Sequence, residues 1–205
     1  MKKRQIIYIH GGETHRNKKS YIESLKTKKV SFDKYISWSA DYLDNNLFKH
    51  FDLCRIKMPL KENSSYNEWK IWFERHIHLI KSGSIMMGYS LGAIFLIKYL
   101  SENSFPKKIK ALYLIAPPYD NSLPIEDLAG GFNLKKDLSL VIKNCRTINM
   151  FFSEDDNIVP LSQALKYKQS ISQAKIMVLN NKNGHFRVSK FPELIKLIKS
   201  DCNIC

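Results

Sequence analysis

The chain has 205 residues, 44% apolar and 25% charged, with 33 Lys and Arg against 19 Asp and Glu and a formal charge of +14. One globular unit of this length should bury about 70% of its extended-chain surface, enough to hold a rigid site. The excess charge is spread along the chain as 27 lysines and 6 arginines, with no long basic run and no zinc-finger or RNP motif, which argues against a specific nucleic-acid partner.

The first element is the apolar run "QIIYIHGG" (5–12), which reads as a strand ending in a glycine turn. Its apolar core is too short for a secretory signal, and no apolar run in the chain reaches the roughly 18 residues of a membrane span. A cytoplasmic protein without a membrane span is therefore expected. The glycines of "HGG" allow backbone to approach a ligand closely, so the N–H of Gly12, or that of Glu13, is the candidate to stabilise developing negative charge. His10 is read as fixing this loop rather than acting as a base.

Next comes the strand-like run "FDLCRIKMP" (51–59), followed by Asn63–Ser65 as a cap. In "YNEWKIWFERHIHLI" (66–80), Tyr66, Trp69, Trp72, Phe73, His76, Ile77 and Ile80 recur at helical spacing and paint one apolar face. Trp69 and Trp72 are thus expected to face the core. His76 and His78, two apart on a helix, point in different directions and cannot share a metal ion.

The run "SIMMGYS" (84–90) leads into the helical segment "LGAIFLIKYLSEN" (91–103), and Gly88-Tyr89-Ser90-Leu91-Gly92 at their junction is GxSxG. A strand-to-helix turn of this kind exposes a serine hydroxyl, and its glycines remove Cβ atoms that would clash as strand and helix close together. The N–H of Leu91, first in the helix, points toward the same spot and can hold an oxyanion.

After the strand run "KALYLIAPP" (110–118), residues 117–146 are rich in Pro, Gly and Asp and end in a short helix. A segment of that size inside a compact domain reads as a reduced lid. The run "TINMFFSEDD" (147–156) then offers Asp155 and Asp156 at a strand end, with Glu154 falling earlier on the strand edge. Asp156 is preferred because it precedes "NIVP", where proline starts the helical segment "LSQALKYKQSI" (161–171). Past the last strand run, "KIMVLNN" (175–181), comes His185, the one histidine that follows Ser90. A serine needs a base and a group to orient that base, and the order Ser, acid, His suits Ser90, Asp156 and His185. The segment "FPELIKLIKS" (191–200) is helical in period, and the terminal "CNIC" (Cys202, Cys205) lacks a second pair to complete a zinc set or disulfide framework.

With "HGG", "GYSLGA", "SEDDNIVP" and "GHF" in this order, the chain resembles the α/β-hydrolases. More narrowly it is similar to the small, nearly capless serine hydrolases of the retinoblastoma-binding-protein type and their bacterial relatives. The stretch "MPLKENSSYNEWKIWFERH" resembles that group's methionine-proline segment and Trp-bearing helix. The resemblance implies a Ser90, Asp156, His185 triad, an acyl-enzyme intermediate and no metal or organic cofactor. The chain departs from the group's commonest pattern at Tyr89, often histidine, and Ala93, often glycine.

The expected architecture is one domain over 1–205: a compact α/β-hydrolase fold, with a mostly parallel sheet of about six strands buried on both faces by helices. The expected activity is hydrolysis of small carboxylic esters. The alternative is a non-catalytic interaction protein that keeps the hydrolase fold and contacts a protein partner through 117–146.

Overall fold

A computed structural model describes residues 3–32 and 37–204. Six strands, β1 Arg4–Ile9, β2 Phe51–Ile56, β3 Ser84–Tyr89, β4 Ile109–Ile115, β5 Ile148–Ser153 and β6 Lys175–Leu179, form one sheet. Their order is β2-β1-β3-β4-β5-β6, and every neighbouring pair is parallel. The six apolar runs read from the sequence are these six strands. The central strands β1, β3, β4 and β5 are buried almost throughout, as runs of Ile, Leu, Met and Phe require. β2 and β6 are only partly buried, against the expectation of burial on both faces. They are the sheet edges, each with a neighbouring strand on one side only.

Helices α1 Lys18–Thr27, α2 Leu43–Leu47, α3 Tyr66–His76, α4 Leu91–Glu102, α5 Ser139–Asn144, α6 Leu161–Ser170 and α7 Pro192–Asp201 connect or flank the strands. A π-helical turn at Trp38–Tyr42 precedes α2, and α3 tightens into a 3₁₀ turn at Ile77–Leu79, short of the Ile80 end that the periodicity predicts. The expected side-chain cap of α3 is absent: Ser65 occupies the N-cap position with no side-chain hydrogen bond.

Alternation along β3 divides the core into two layers. Gly88 faces α4, whose Phe95 meets Tyr66, Trp69 and Phe73 of α3 ring to ring. Tyr89 faces the other way, onto Trp38, which in turn packs on Phe191 at the start of α7. α4 is buried over nearly its whole length. Its one lysine, Lys98, is neutralised there by Glu102 at 2.7 Å and by the carbonyl of Asn133 at 2.8 Å. Among the described residues no helix is long and apolar enough to cross a membrane.

Candidate active site

β1 lies between β2 and β3, so the chain leaves β1 in one direction along the sheet and β3 in the other. Such a reversal opens a crevice at the carboxyl ends of the two strands. Ser90 sits there, directly between β3 and α4, with φ +52° and ψ −118°. A non-glycine residue in that region carries strain on the order of 1–3 kcal/mol, which the surrounding structure must absorb. The two motif glycines make the turn possible. A Cβ on Gly88 would come within 2.6 Å of the Ala93 Cα, and one on Gly92 within 2.4 Å of the Ile9 and His10 carbonyl oxygens. Ala93, a departure from the group's commonest pattern, is fully buried and its backbone forms the first of these contacts.

The adjacent aspartates after β5 go to different places. Asp156 is buried; its Oδ1 accepts the N–H groups of Ile158 and Val159, both at 2.9 Å, and its Oδ2 lies 2.7 Å from His185 Nδ1. Because the carboxylate accepts, Nδ1 carries the proton and Nε2 presents a lone pair. That Nε2 is buried and has no hydrogen-bond partner among the described residues, the Ser90 hydroxyl included. Asp155 instead grips the backbone of the His185 loop, accepting the N–H of Gly184 at 2.8 Å and of Lys182 at 3.0 Å, along with the Ser153 hydroxyl. Desolvation opposes its ionisation, but these hydrogen bonds outweigh it and hold the carboxyl at about 2.

Tyr89 acts on the same loop from below. Its hydroxyl donates to the His185 carbonyl at 2.6 Å, and the two rings lie 5.1 Å apart. Trp38 supports both partners, with its ring against Tyr89 and its backbone N–H donating to the Val188 carbonyl at 3.0 Å. Neither contribution is legible in the sequence: the partners lie far apart along the chain, and no local pattern announces them.

On the opposite wall, His10 uses both ring nitrogens. Nε2 accepts the Met58 N–H at 2.9 Å, so Nδ1 carries the proton and donates to the Gly11 carbonyl at 2.6 Å. A histidine so occupied fixes its loop. The Glu13 N–H donates to the Lys61 carbonyl at 2.7 Å and is therefore engaged, whereas the N–H groups of Gly12 and Leu91 have no acceptor among the described residues. A Cβ on Gly12 would lie 3.2 Å from Leu91 Cδ2, so the two residues are neighbours.

Ser90, His185, Tyr89, Gly12 and Arg187 line one cavity of about 740 Å³. Glu126 joins them from the irregular segment after β4. This segment is pinned across the site: Tyr119 and Asp120 N–H groups donate to Gln163 Oε1, Lys166 pairs with Asp120 at 2.7 Å, and Thr14 Oγ1 takes the Ala129 N–H at 2.8 Å. Leu128 and Phe132 anchor it in the core. Desolvation raises the pKa of Glu126; His185 and Arg187 partly offset this, while Glu13 and Asp156 add to it. Its position in a Pro- and Gly-rich stretch gave no signal in the sequence.

The remaining sequence candidates stay out of the cavity. Trp69 is fully buried and donates to the Pro59 carbonyl at 2.8 Å; Trp72, 38% exposed rather than core-facing, donates to the Lys57 carbonyl at 3.0 Å. Together they hold the methionine-proline segment that carries Met58 to His10. His76 Nδ1 lies 2.8 Å from the Trp72 carbonyl, and no cluster of metal-ligating side chains occurs among the described residues. Cys202 accepts from Arg4 at 3.2 Å, while Cys205 lies outside the described residues.

A family model described as "Serine hydrolase" matches residues 38–198. The chain is 28% identical over 152 residues to serine hydrolase RBBP9 of Rattus norvegicus, covering 73% of this chain and 77% of that one. In structure it is similar to the ydeN gene product of B. subtilis, with TM-score 0.78, 18% identity, and 98% and 99% of the two chains covered. It is also similar to the alpha/beta hydrolase domain-containing protein 10 of mouse, with TM-score 0.61, 14% identity, and 98% and 90% covered. The fold is that of the α/β-hydrolases.

Proposed function

The chain belongs to the serine hydrolase family, and we propose that it cleaves small carboxylic esters through a triad of Ser90, His185 and Asp156. The observation that carries this reading is the Asp156–His185 pair at 2.7 Å, buried at the wall of the cavity that also holds the strained Ser90. Asp156 orients the imidazole through Nδ1–H and leaves Nε2 free to take a proton. Ser90 Oγ attacks the acyl carbon as its proton passes to His185 Nε2, and the tetrahedral oxyanion is held by the N–H groups of Leu91 and Gly12. Glu13 is set aside as the second donor because its N–H is bonded to Lys61. Collapse expels the alcohol, which takes the proton from His185 and leaves an acyl-Ser90 ester. Water, deprotonated by the same imidazole, then releases the acid.

An ester is the substrate class that asks least of this site, because an alkoxide leaves with less protonation than an amine does. Each oxyanion donor contributes about 3 kcal/mol of transition-state stabilisation. Residues 117–146 serve as a fixed partial cover, which brings Glu126 to the cavity wall and limits the space available to the acyl group.

The test is a panel of p-nitrophenyl esters from acetate to octanoate, run on wild type and Ser90→Ala. Turnover that peaks at short chains and vanishes in Ser90→Ala is expected; equal rates in both proteins would favour the non-catalytic alternative.

A further inference from the structure

The opposite end of the sheet carries a second cavity, of about 620 Å³, which the hydrolytic reaction does not use. It lies where the chain enters β3, β4 and β5, between Gly83 and the segments 105–110 and 142–146. The floor is apolar, made by Phe105, Ile109 and Cys145, all buried, with the partly buried Ile142 beside them. The frame is fixed by backbone. Gly83 N–H donates to the Lys108 carbonyl at 2.7 Å, Arg146 N–H to the Ile109 carbonyl at 3.3 Å, and Phe105 N–H to Asn144 Oδ1 at 2.8 Å.

Five of the twelve lining residues are cations, Lys107, Lys108, Lys110, Lys143 and Arg146, and none is acidic. Cations make up 33 of 205 residues in the whole chain, so composition alone does not account for the crowding. Lys107 has a structural task, donating to the carbonyls of Ile77, His78 and Ile80 at the end of the 3₁₀ turn. The other four make no ion pair among the described residues. Four like charges around one concave surface repel one another, and a multivalent anion converts that repulsion into attraction. Arg146 adds a planar fork suited to two phosphate oxygens.

We propose that this cavity binds a phosphate-bearing organic anion of nucleotide size. Its phosphates would meet Lys108, Lys110, Lys143 and Arg146, and its ring would lie on Phe105, Ile109 and Ile142. The volume falls within the range of small-ligand pockets, roughly 300–1,000 Å³. Binding here is independent of Ser90, which lies past the other ends of the strands.

The full chain is titrated calorimetrically with ATP, and separately with adenosine and with inorganic pyrophosphate, at fixed ionic strength. ATP should bind saturably at one site, at least tenfold more tightly than either fragment. The exposed pair Lys108→Glu with Arg146→Glu should weaken ATP binding at least tenfold, and Arg146→Ala alone severalfold, with melting temperatures kept near that of wild type as the control for folding. Non-saturating heats, or unchanged ATP affinity in the charge-reversed protein, would overturn the proposal. Pyrophosphate as tight as ATP would overturn the role of the apolar floor, and adenosine as tight as ATP that of the cations. A single-stranded oligonucleotide binding far more tightly than ATP would overturn the small-ligand class in favour of nucleic acid.

Discussion

The two ends of the parallel sheet solve the problem of holding polar groups in opposite ways. At the carboxyl end, charges of both signs interleave around Ser90 and several are held by a partner within the chain, Glu13 by Lys28 and Glu62 by Lys61, while Asp156 orients His185. At the amino end, cations of one sign gather on a backbone frame with no carboxylate among them. The first arrangement is largely fixed from within the chain and suits the positioning of atoms. The second needs an external anion, and suits capture rather than reaction.

If the carboxyl end works because each reacting group is fixed by a second one, removing the fixing groups should cost activity in proportion to how directly they touch the reaction. Asp156→Asn should cost most, about 10³- to 10⁴-fold in kcat on a p-nitrophenyl ester, because an amide in that place turns the imidazole to the wrong tautomer. Asp155→Asn should cost less, about tenfold, since it loosens the His185 loop and leaves the Asp156 contact intact. The same aspartate supplies a pH signature. Its folded pKa is lowered to about 2, so its anchoring is present above the usual carboxylate range and is lost as pH falls toward that value. Acid melts of wild type against Asp155→Asn should therefore converge at low pH. Equal kcat losses in the two aspartate variants would erase the distinction drawn between them.

Tyr89→Phe removes one hydrogen bond to the His185 carbonyl, a contribution of about 1 kcal/mol, and should lower kcat about fivefold with little change in KM. Glu126→Gln sharpens the contrast in the other direction. Desolvation raises the pKa of Glu126, so its contribution to stability is complete below the usual carboxylate range and lost as pH rises through the folded value. The glutamine variant should melt slightly above wild type at pH 7, with the gap closing as pH falls below that range. A lower melting temperature at neutral pH would mean that the ionised carboxylate is held by a favourable contact after all.

The sheet and the chemical candidates were legible because they rest on local signals. Apolar runs of strand length, GxSxG at a strand-to-helix junction, and a single late histidine each occupy a few residues. What escaped lacks such signals. α1 buries no residue, its few apolar side chains Tyr21, Ile22 and Leu25 staying outside the core, and α2 is only five residues long. Trp38, which supports Tyr89 and the His185 loop, lies between α1 and α2 in a π-helical turn that no periodicity marks. The roles of Tyr89, Asp155 and Glu126 come from contacts between distant parts of the chain. Tyr89 was noted only as a departure from a pattern, yet its hydroxyl reaches the loop that carries His185.

The central claim, that Ser90 is a nucleophile poised by His185 and Asp156, is tested most directly by a fluorophosphonate probe read by intact mass. A single adduct on the folded wild-type chain, absent in Ser90→Ala and formed far more slowly in Asp156→Asn, is the predicted result. A folded wild type that stays unlabelled, or an adduct that persists in Ser90→Ala, would contradict the account.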